Sequence, residues 1–372
     1  MPIHTSSKNL LVNLQICRAL AAVLVVIGHA LQDSGAIAVQ LGIPAMQSSL
    51  NWGCGVDIFF VISGFIMVHV AGDDFGIPGA PGRFFTKRLA RIVPLYWSVT
   101  TALIVGALVA PSLLNVPLGN FQNIVASYLF IPDWRPDHSV MRPVMALGWT
   151  LNYEMLFYAA FAAAMFLGLR RGIAVLTVGF VAAIAVRLAF NIKQDQLAYW
   201  TDPIVLEFLY GVYIALAWRA GWRLALPWAL VLGGFGFGLA TGLMPEPFGL
   251  TEDVNFLCHG LPAGMLVAAV TLGPGLTNSP ATRFGLLLGD ASFALYLVHP
   301  FVIRPLRFVW LKLGGGALPL LAYVAFCVAI AIGAALLLHW CVEKPLARLV
   351  KPRSMHNSLA ARHGPQPLPA GE

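Results

Sequence analysis

Long apolar stretches separated by short polar ones run through nearly the whole chain. The first, Leu10 to Leu31, matches the ~20 residues that a helix needs to cross a hydrocarbon core about 30 Å thick. The same pattern predicts about ten such spans, near 10–31, 52–70, 93–113, 147–168, 173–191, 202–218, 226–243, 254–272, 286–304 and 317–340. The apolar stretch 121–131 is too short to cross and predicts an interfacial or re-entrant helix. The expected fold is therefore all-α: a polytopic transmembrane helical bundle over residues 1–344. The segment 345–372 is polar with Pro and Gly near its end, and predicts a disordered tail. The first stretch is longer than the apolar region of a signal peptide and lacks a clear small-residue cleavage site, so it is expected to stay as the first helix. No attached soluble catalytic domain and no internal repeat are expected.

Composition sharpens this picture. Residues are 59% hydrophobic and only 10% charged, more apolar surface than a water-soluble domain needs. The net charge of +7 would suit nucleic acid if it were clustered, but it follows the loops. With the N-terminus inside, one side holds Lys8, Arg83, Lys87, Arg88, Arg91, Arg170, Arg171, Arg219, Arg223, Arg283, Lys344, Arg348, Lys351, Arg353 and Arg362. The other holds Arg135, Arg142, Lys193, Arg304, Arg307 and Lys312. This imbalance predicts both termini in the cytoplasm. Arg304, Arg307 and Lys312 are its exceptions: they either bind something anionic or mark a misplaced boundary. The five cysteines are scattered through apolar segments without a CxxC, so neither a metal site nor a disulfide framework is expected.

The chemistry begins in the first span, which carries Arg18 and His29. Ionisable groups inside a spanning helix cost at least ~2.5 kcal/mol on insertion scales. Eleven residues at ~100° each bring both onto one stripe, roughly 16 Å apart along the axis. The charge imbalance puts Arg18 near the cytoplasm and His29 near the outer face. Asp57, at the outer end of the second span, is at the level of His29 and could hold its imidazole in one tautomer. Arg88 and Arg91 are neighbours on one helix face, suited either to phosphate or to lipid headgroups. Glu154 lies inside the fourth span, one turn from Thr150, at a depth that suits contact with His29 or a substrate hydroxyl. Ser292, Tyr296 and His299 share a face, and His299 reads as a hydrogen-bonded structural histidine. The outer segment Pro132-Asp133-Trp134-Arg135-Pro136-Asp137-His138 suits either carbohydrate or an interfacial aromatic belt.

Taken together, these segments resemble the membrane acyltransferase-3 family. Arg18 and His29 match its Arg-x10-His, Arg88 and Arg91 its Arg-x-x-Arg, and GVDIFFVISGF, GWTLNYE, SFALYLVHP and Glu343-Lys344-Pro345 look like its blocks. Through LNYEM and RIVPLYW the chain looks most like the exopolysaccharide-production, succinoglycan-type O-acetyltransferases. The resemblance implies a multi-pass enzyme of the bacterial inner membrane that moves an acyl group, usually acetyl, from acetyl-CoA to a hydroxyl of an exported polysaccharide or lipid-linked sugar. On that reading His29 is the base or a transient acyl carrier, oriented by Glu154 or Asp57. Arg18, Arg88 and Arg91 hold the CoA phosphates, and no metal is needed. A polysaccharide assembly machinery is a further expected partner. The alternative is a transporter or flippase of a glycan or lipid-linked intermediate, which would also carry buried Arg, His and Glu.

Overall fold

A computed structural model describes residues 7–46, 48–111, 118–135, 138–244, 256–277, 279–315 and 318–349, and the side chains from residue 10 onward. Among the described residues the structure is helical throughout. Trp134 and Met141 form an isolated antiparallel bridge, and no strand forms. The expected tail lies mostly outside the described residues. Its first residues, however, continue a helix, Lys344–Leu349.

In chain order the helices are α1 (Ser7–Leu41), α2 (Cys54–Ala71), α3 (Ala80–Val109), α4 (Phe121–Tyr128), α5 (Trp149–Ala164), α6 (Leu169–Ala189) and α7 (Asp195–Trp200). They continue with α8 (Leu206–Arg219), α9 (Leu226–Thr241), α10 (Leu261–Leu272), α11 (Pro280–Asp290), α12 (Ser292–Lys312), α13 (Leu320–Leu338) and α14 (Lys344–Leu349). Seven helical segments among the described residues are long and apolar enough to cross a membrane: Leu10–Leu41, Cys54–Asp74, Ala80–Val109, Leu169–Ala189, Asp195–Arg219, Ser292–Lys312 and Leu320–Leu349. The other three expected spans correspond to shorter helices. α5 and α9 have 16 residues each, and α10 has 12 beyond a π-helical turn at Phe256–Gly260.

Several boundaries differ from the sequence reading for identifiable reasons. α1 runs ten residues past Leu31 because Ile37 is buried in a cluster with Ala30, Ile303, Tyr323, Val324 and Cys327. α3 begins at Ala80, before the expected span, and passes through Pro94, so Arg88 and Arg91 sit on one helix as expected. Proline removes one backbone donor, a loss that packed membrane helices tolerate. α12 likewise passes through Pro300 and Pro305, which places Arg304, Arg307 and Lys312 inside it. Arg307 pairs with Asp33 of α1 at 3.0 Å, and the Tyr323 hydroxyl donates to the same carboxylate at 2.6 Å. That basic exception thus has a protein partner. The interfacial segment folds as expected into a short helix, α4, whose first turn is capped by the Asn120 side chain.

α2 is the central element. Its Gly64 faces Phe208 of α8, and Gly211 of α8 faces Val61 of α2. A Cβ at either position would run into the facing backbone carbonyl. Small residues let membrane helices approach this closely. Gly55 does the same against the Ala21 carbonyl of α1. Phe208 stacks on Phe157 of α5, with ring centroids 4.5 Å apart, and lies 4.7 Å from Phe60. These contacts bind α1, α2, α5 and α8 into one core.

Candidate active site

A cavity opens among α1, α2, α3, α5 and α12, with about 740 Å³ of unfilled space. α2 supplies most of its apolar wall, including Val56, Phe59 and Ile66. The polar groups facing it are Arg18, Arg88, Arg91, Glu154, Ser63, Thr150, Tyr158, Ser292 and Tyr296. Three arginines singled out from sequence, on two different helices, therefore meet in one place, together with one predicted carboxylate.

Each is held by its own helix. Arg18 is 8% exposed. Its guanidinium donates at 3.2 Å to Gln15, one turn earlier, and Gln15 in turn donates to Asp290 at 2.8 Å. Arg88 is also 8% exposed. It lies over the rings of Phe84 and Tyr158, 5.4 and 5.9 Å from their centroids. Its Nε is buried with no hydrogen-bond partner among the described residues. Arg91, a turn further along, is exposed at the cavity edge. Glu154 accepts from Ser63 at 2.9 Å and closely from the Tyr158 hydroxyl one turn ahead. Its charge also acts on Arg18 and Arg88. A half-buried carboxylate set among guanidiniums and hydroxyls is a compensated charge.

The two other candidates lie elsewhere. The hydrogen-bond partners of Glu154 are Ser63 and Tyr158, so the structure does not bring it to His29. Asp57 lies beside Glu207 of α8, and the two carboxyl groups act on each other. Glu207 is 1% exposed and escaped the sequence reading. The signal was available, since it is a lone acid inside an apolar span.

His29 sits on α1 beyond the cavity wall. Its Nδ1 is 2.9 Å from the Val25 carbonyl. A carbonyl only accepts, so Nδ1 carries the hydrogen and Nε2 presents a lone pair. The ring's nearest aromatic neighbour is His299 of α12, with centroids 4.9 Å apart and planes tilted by 53°. Tyr296 connects this pair to the cavity: its ring is 6.3 Å from that of His299 and 6.2 Å from that of Phe59. The Tyr296 hydroxyl lies 3.0 Å from Thr150 and donates to the Leu147 carbonyl. Among the described residues, no group of three or more His, Cys, Asp or Glu is placed to hold a metal ion.

An acyltransferase domain model, that of the acyltransferase-3 family, matches residues 11–339. The chain belongs to this family. It is 35% identical to the exopolysaccharide production protein ExoZ of Rhizobium meliloti over 313 residues, 83% of this chain and 93% of that protein. It is 29% identical to the acyltransferase MdmB of Streptomyces mycarofaciens over 380 residues, 90% of each chain. A weaker similarity, 27% over 248 residues, covers 61% of this chain and 75% of a phosphate transport system permease protein PstC of Xylella fastidiosa. No solved structure gives a significant match. The chain is thus a multi-pass membrane O-acyltransferase, and the cavity and its neighbouring histidines are the candidate site for its chemistry.

Proposed function

We propose that this acyltransferase moves an acyl group, acetyl by family resemblance, from cytoplasmic acyl-CoA to a hydroxyl of an exported polysaccharide or its lipid-linked precursor. The observation that carries the reading is the convergence of Arg18, Arg88 and Arg91 on one cavity, with His29 about 16 Å further along the helix that bears Arg18. Guanidinium forks suit the phosphates of CoA, and the similarity to ExoZ supports a polysaccharide acceptor. In this reading the chain lies in the bacterial inner membrane with about ten spans, the shorter helices α5, α9 and α10 crossing with the longer ones. Both termini are cytoplasmic, so Arg18 faces the donor and His29 the acceptor.

The chemistry follows from the tautomer. The acceptor hydroxyl gives its proton to Nε2 of His29 while its oxygen attacks the thioester carbonyl. The carbon–sulfur bond then breaks, and the proton passes from Nε2 to the departing CoA sulfur. Glu154 belongs to the donor end, where it balances the arginines. Asp57 lies beside Glu207 of α8.

The test is release of CoA thiol from acetyl-CoA by purified protein supplied with the polysaccharide, for wild type and His29→Ala. Loss of a general base lowers turnover by about 10²- to 10⁴-fold. A His29→Ala protein that is folded and fully active removes the base assignment. No thiol release by wild type, with transport of the glycan instead, makes the chain a transporter.

A further inference from the structure

The end of α1 that bears His29 gathers a second set of arginines, which the transfer chemistry does not use. Asp33 lies one turn beyond His29 on α1. On α12, Arg304 and Arg307 follow His299, whose ring is 4.9 Å from that of His29. They stand three residues apart, as neighbours on the helix surface. The segment before α5 adds two more. Trp134 and Met141 pair across an antiparallel bridge, which fixes the adjoining Arg135 and Arg142. The guanidinium of Arg142 lies over the Trp149 ring, 5.3 Å from its centroid.

These groups share one electrostatic neighbourhood. The charges of Arg142 and Arg304 both act on His29, and those of Arg135 and Arg307 act on Arg304. Among the described residues, the carboxylate that acts on Arg304 is that of Asp33. It is already engaged, accepting from Arg307 at 3.0 Å and from the Tyr323 hydroxyl at 2.6 Å. Guanidinium charge therefore exceeds carboxylate charge around the base. The base must itself become a cation during the transfer, and like charges beside it work against that step. The arrangement favours turnover when an anion arrives with a substrate.

The donor does not supply that anion. The phosphates of acetyl-CoA belong with Arg18, Arg88 and Arg91, and Arg18 is about 16 Å from His29 along α1. The pantetheine arm and the acetyl group that reach His29 are uncharged. A lipid headgroup is also disfavoured, since arginines that serve headgroups extend from the lipid-facing surface. Arg304 and Arg307 are half-buried, and Arg307 turns to Asp33, whose side chain is only 13% exposed.

We propose that this cluster is the acceptor subsite and that the acceptor is anionic, carrying a carboxylate or phosphate oxyanion near the hydroxyl to be acylated. Arg142 and Arg304 bind the oxyanion through their N–H groups. Held beside His29, it offsets the arginine charges while the imidazole carries the hydroxyl proton. No bond is made or broken beyond those of the transfer itself. The oxyanion belongs to an acidic sugar or to the diphosphate of a lipid-linked precursor. This inference rests on the reading of the chain as a polysaccharide acyltransferase with His29 as base.

The test measures thiol release from acetyl-CoA by purified wild type, Arg304→Gln and Arg142→Gln with three acceptors. The first is the deacylated oligosaccharide repeat of the host's exported polysaccharide, with its carboxylates intact. The second is the same oligosaccharide with its carboxyl groups reduced to alcohols, and the third is that reduced form linked to a polyprenyl diphosphate. One charge-assisted hydrogen bond corresponds to about 10- to 100-fold in affinity. Wild type is expected to show an acceptor KM lower by that factor for an anionic acceptor than for the neutral one. Preference for the carboxylate form assigns the charge to the sugar, and preference for the diphosphate form assigns it to the carrier. In both arginine variants the preference collapses, with KM for acetyl-CoA within about twofold of wild type. Equal acceptor KM for charged and neutral forms in wild type overturns this inference alone. So does a loss in the variants that falls equally on all three acceptors, or failure of both variants to accumulate as folded protein, because the arginines are then structural. No thiol release from wild type with any of the three overturns the polysaccharide reading, and this inference with it.

Discussion

The Ser63 hydroxyl donates to Oε1 of Glu154 across 2.9 Å, joining α2 to α5 at the wall of the cavity. Tyr158 donates to the same oxygen from one turn along α5. The carboxylate is thus fixed between two hydroxyls while its charge serves the arginines.

Removing that charge has a definite consequence. Glu154→Leu leaves Arg18 and Arg88 uncompensated and is expected to destabilise the protein by about 1–3 kcal/mol. Ser63→Ala removes one of two hydrogen bonds and costs about 1 kcal/mol. Thermal unfolding in detergent should rank them in that order, with Ser63→Ala folded and active.

The buried arginines are expected to act on donor binding. Arg88→Ala should weaken CoA binding about 10- to 100-fold, the equivalent of one charge-assisted hydrogen bond. Arg88→Lys should restore little, because a lysine is a point charge without the planar fork. Titration calorimetry with CoA reads both. Unchanged affinity in Arg88→Ala together with Arg91→Ala would leave these residues as contacts to lipid headgroups.

Asp57 and Glu207 offer a contrast between hydrogen bonding and charge. Asp57→Asn keeps a polar group beside Glu207 and should leave thiol release near wild type. Asp57→Leu strips Glu207 of its partner and should lower stability by about 1–3 kcal/mol. If Asp57→Asn instead abolishes turnover in a folded protein, Asp57 serves the chemistry directly.

The contact between α2 and α8 is expected to be the least tolerant of added bulk. Gly64→Val or Gly211→Val forces a side chain into a facing carbonyl. Overpacking of this kind costs about 1–3 kcal/mol and sometimes more. Folded yield from membranes, compared with Gly179→Val at an open position on α6, measures the difference.

Much of this architecture was legible in the order of apolar and polar residues. The hydrophobic runs located the helices, the expense of charge in an apolar run selected Arg18 and Glu154, and the three-residue spacing selected Arg88 and Arg91; the structure gathers these four around one cavity. What the runs cannot convey is which helices are neighbours. Asp57 and His29 share a level in the sequence reading, yet α2 turns Asp57 toward α8 and Glu207. His299 shares a face with Tyr296, but only the packing of α12 beside α1 sets it against His29. α3 and α12 extend beyond their apolar stretches, and Pro94, Pro300 and Pro305 are tolerated inside them. α1 outran its apolar stretch because the tertiary contacts of Ile37 override the local polarity of Gln32 and Asp33.

The glycine-mediated seam between α2 and α8 also bears on how a long donor can enter. One face of α2 forms most of the cavity wall, and the opposite face is locked backbone to backbone against α8. That wall acts as a fixed anvil. Admission and exit of a ligand therefore fall to the opposing helices, α3, α5 and α12, whose cavity-facing side chains include the long, rotatable Arg88 and Arg91.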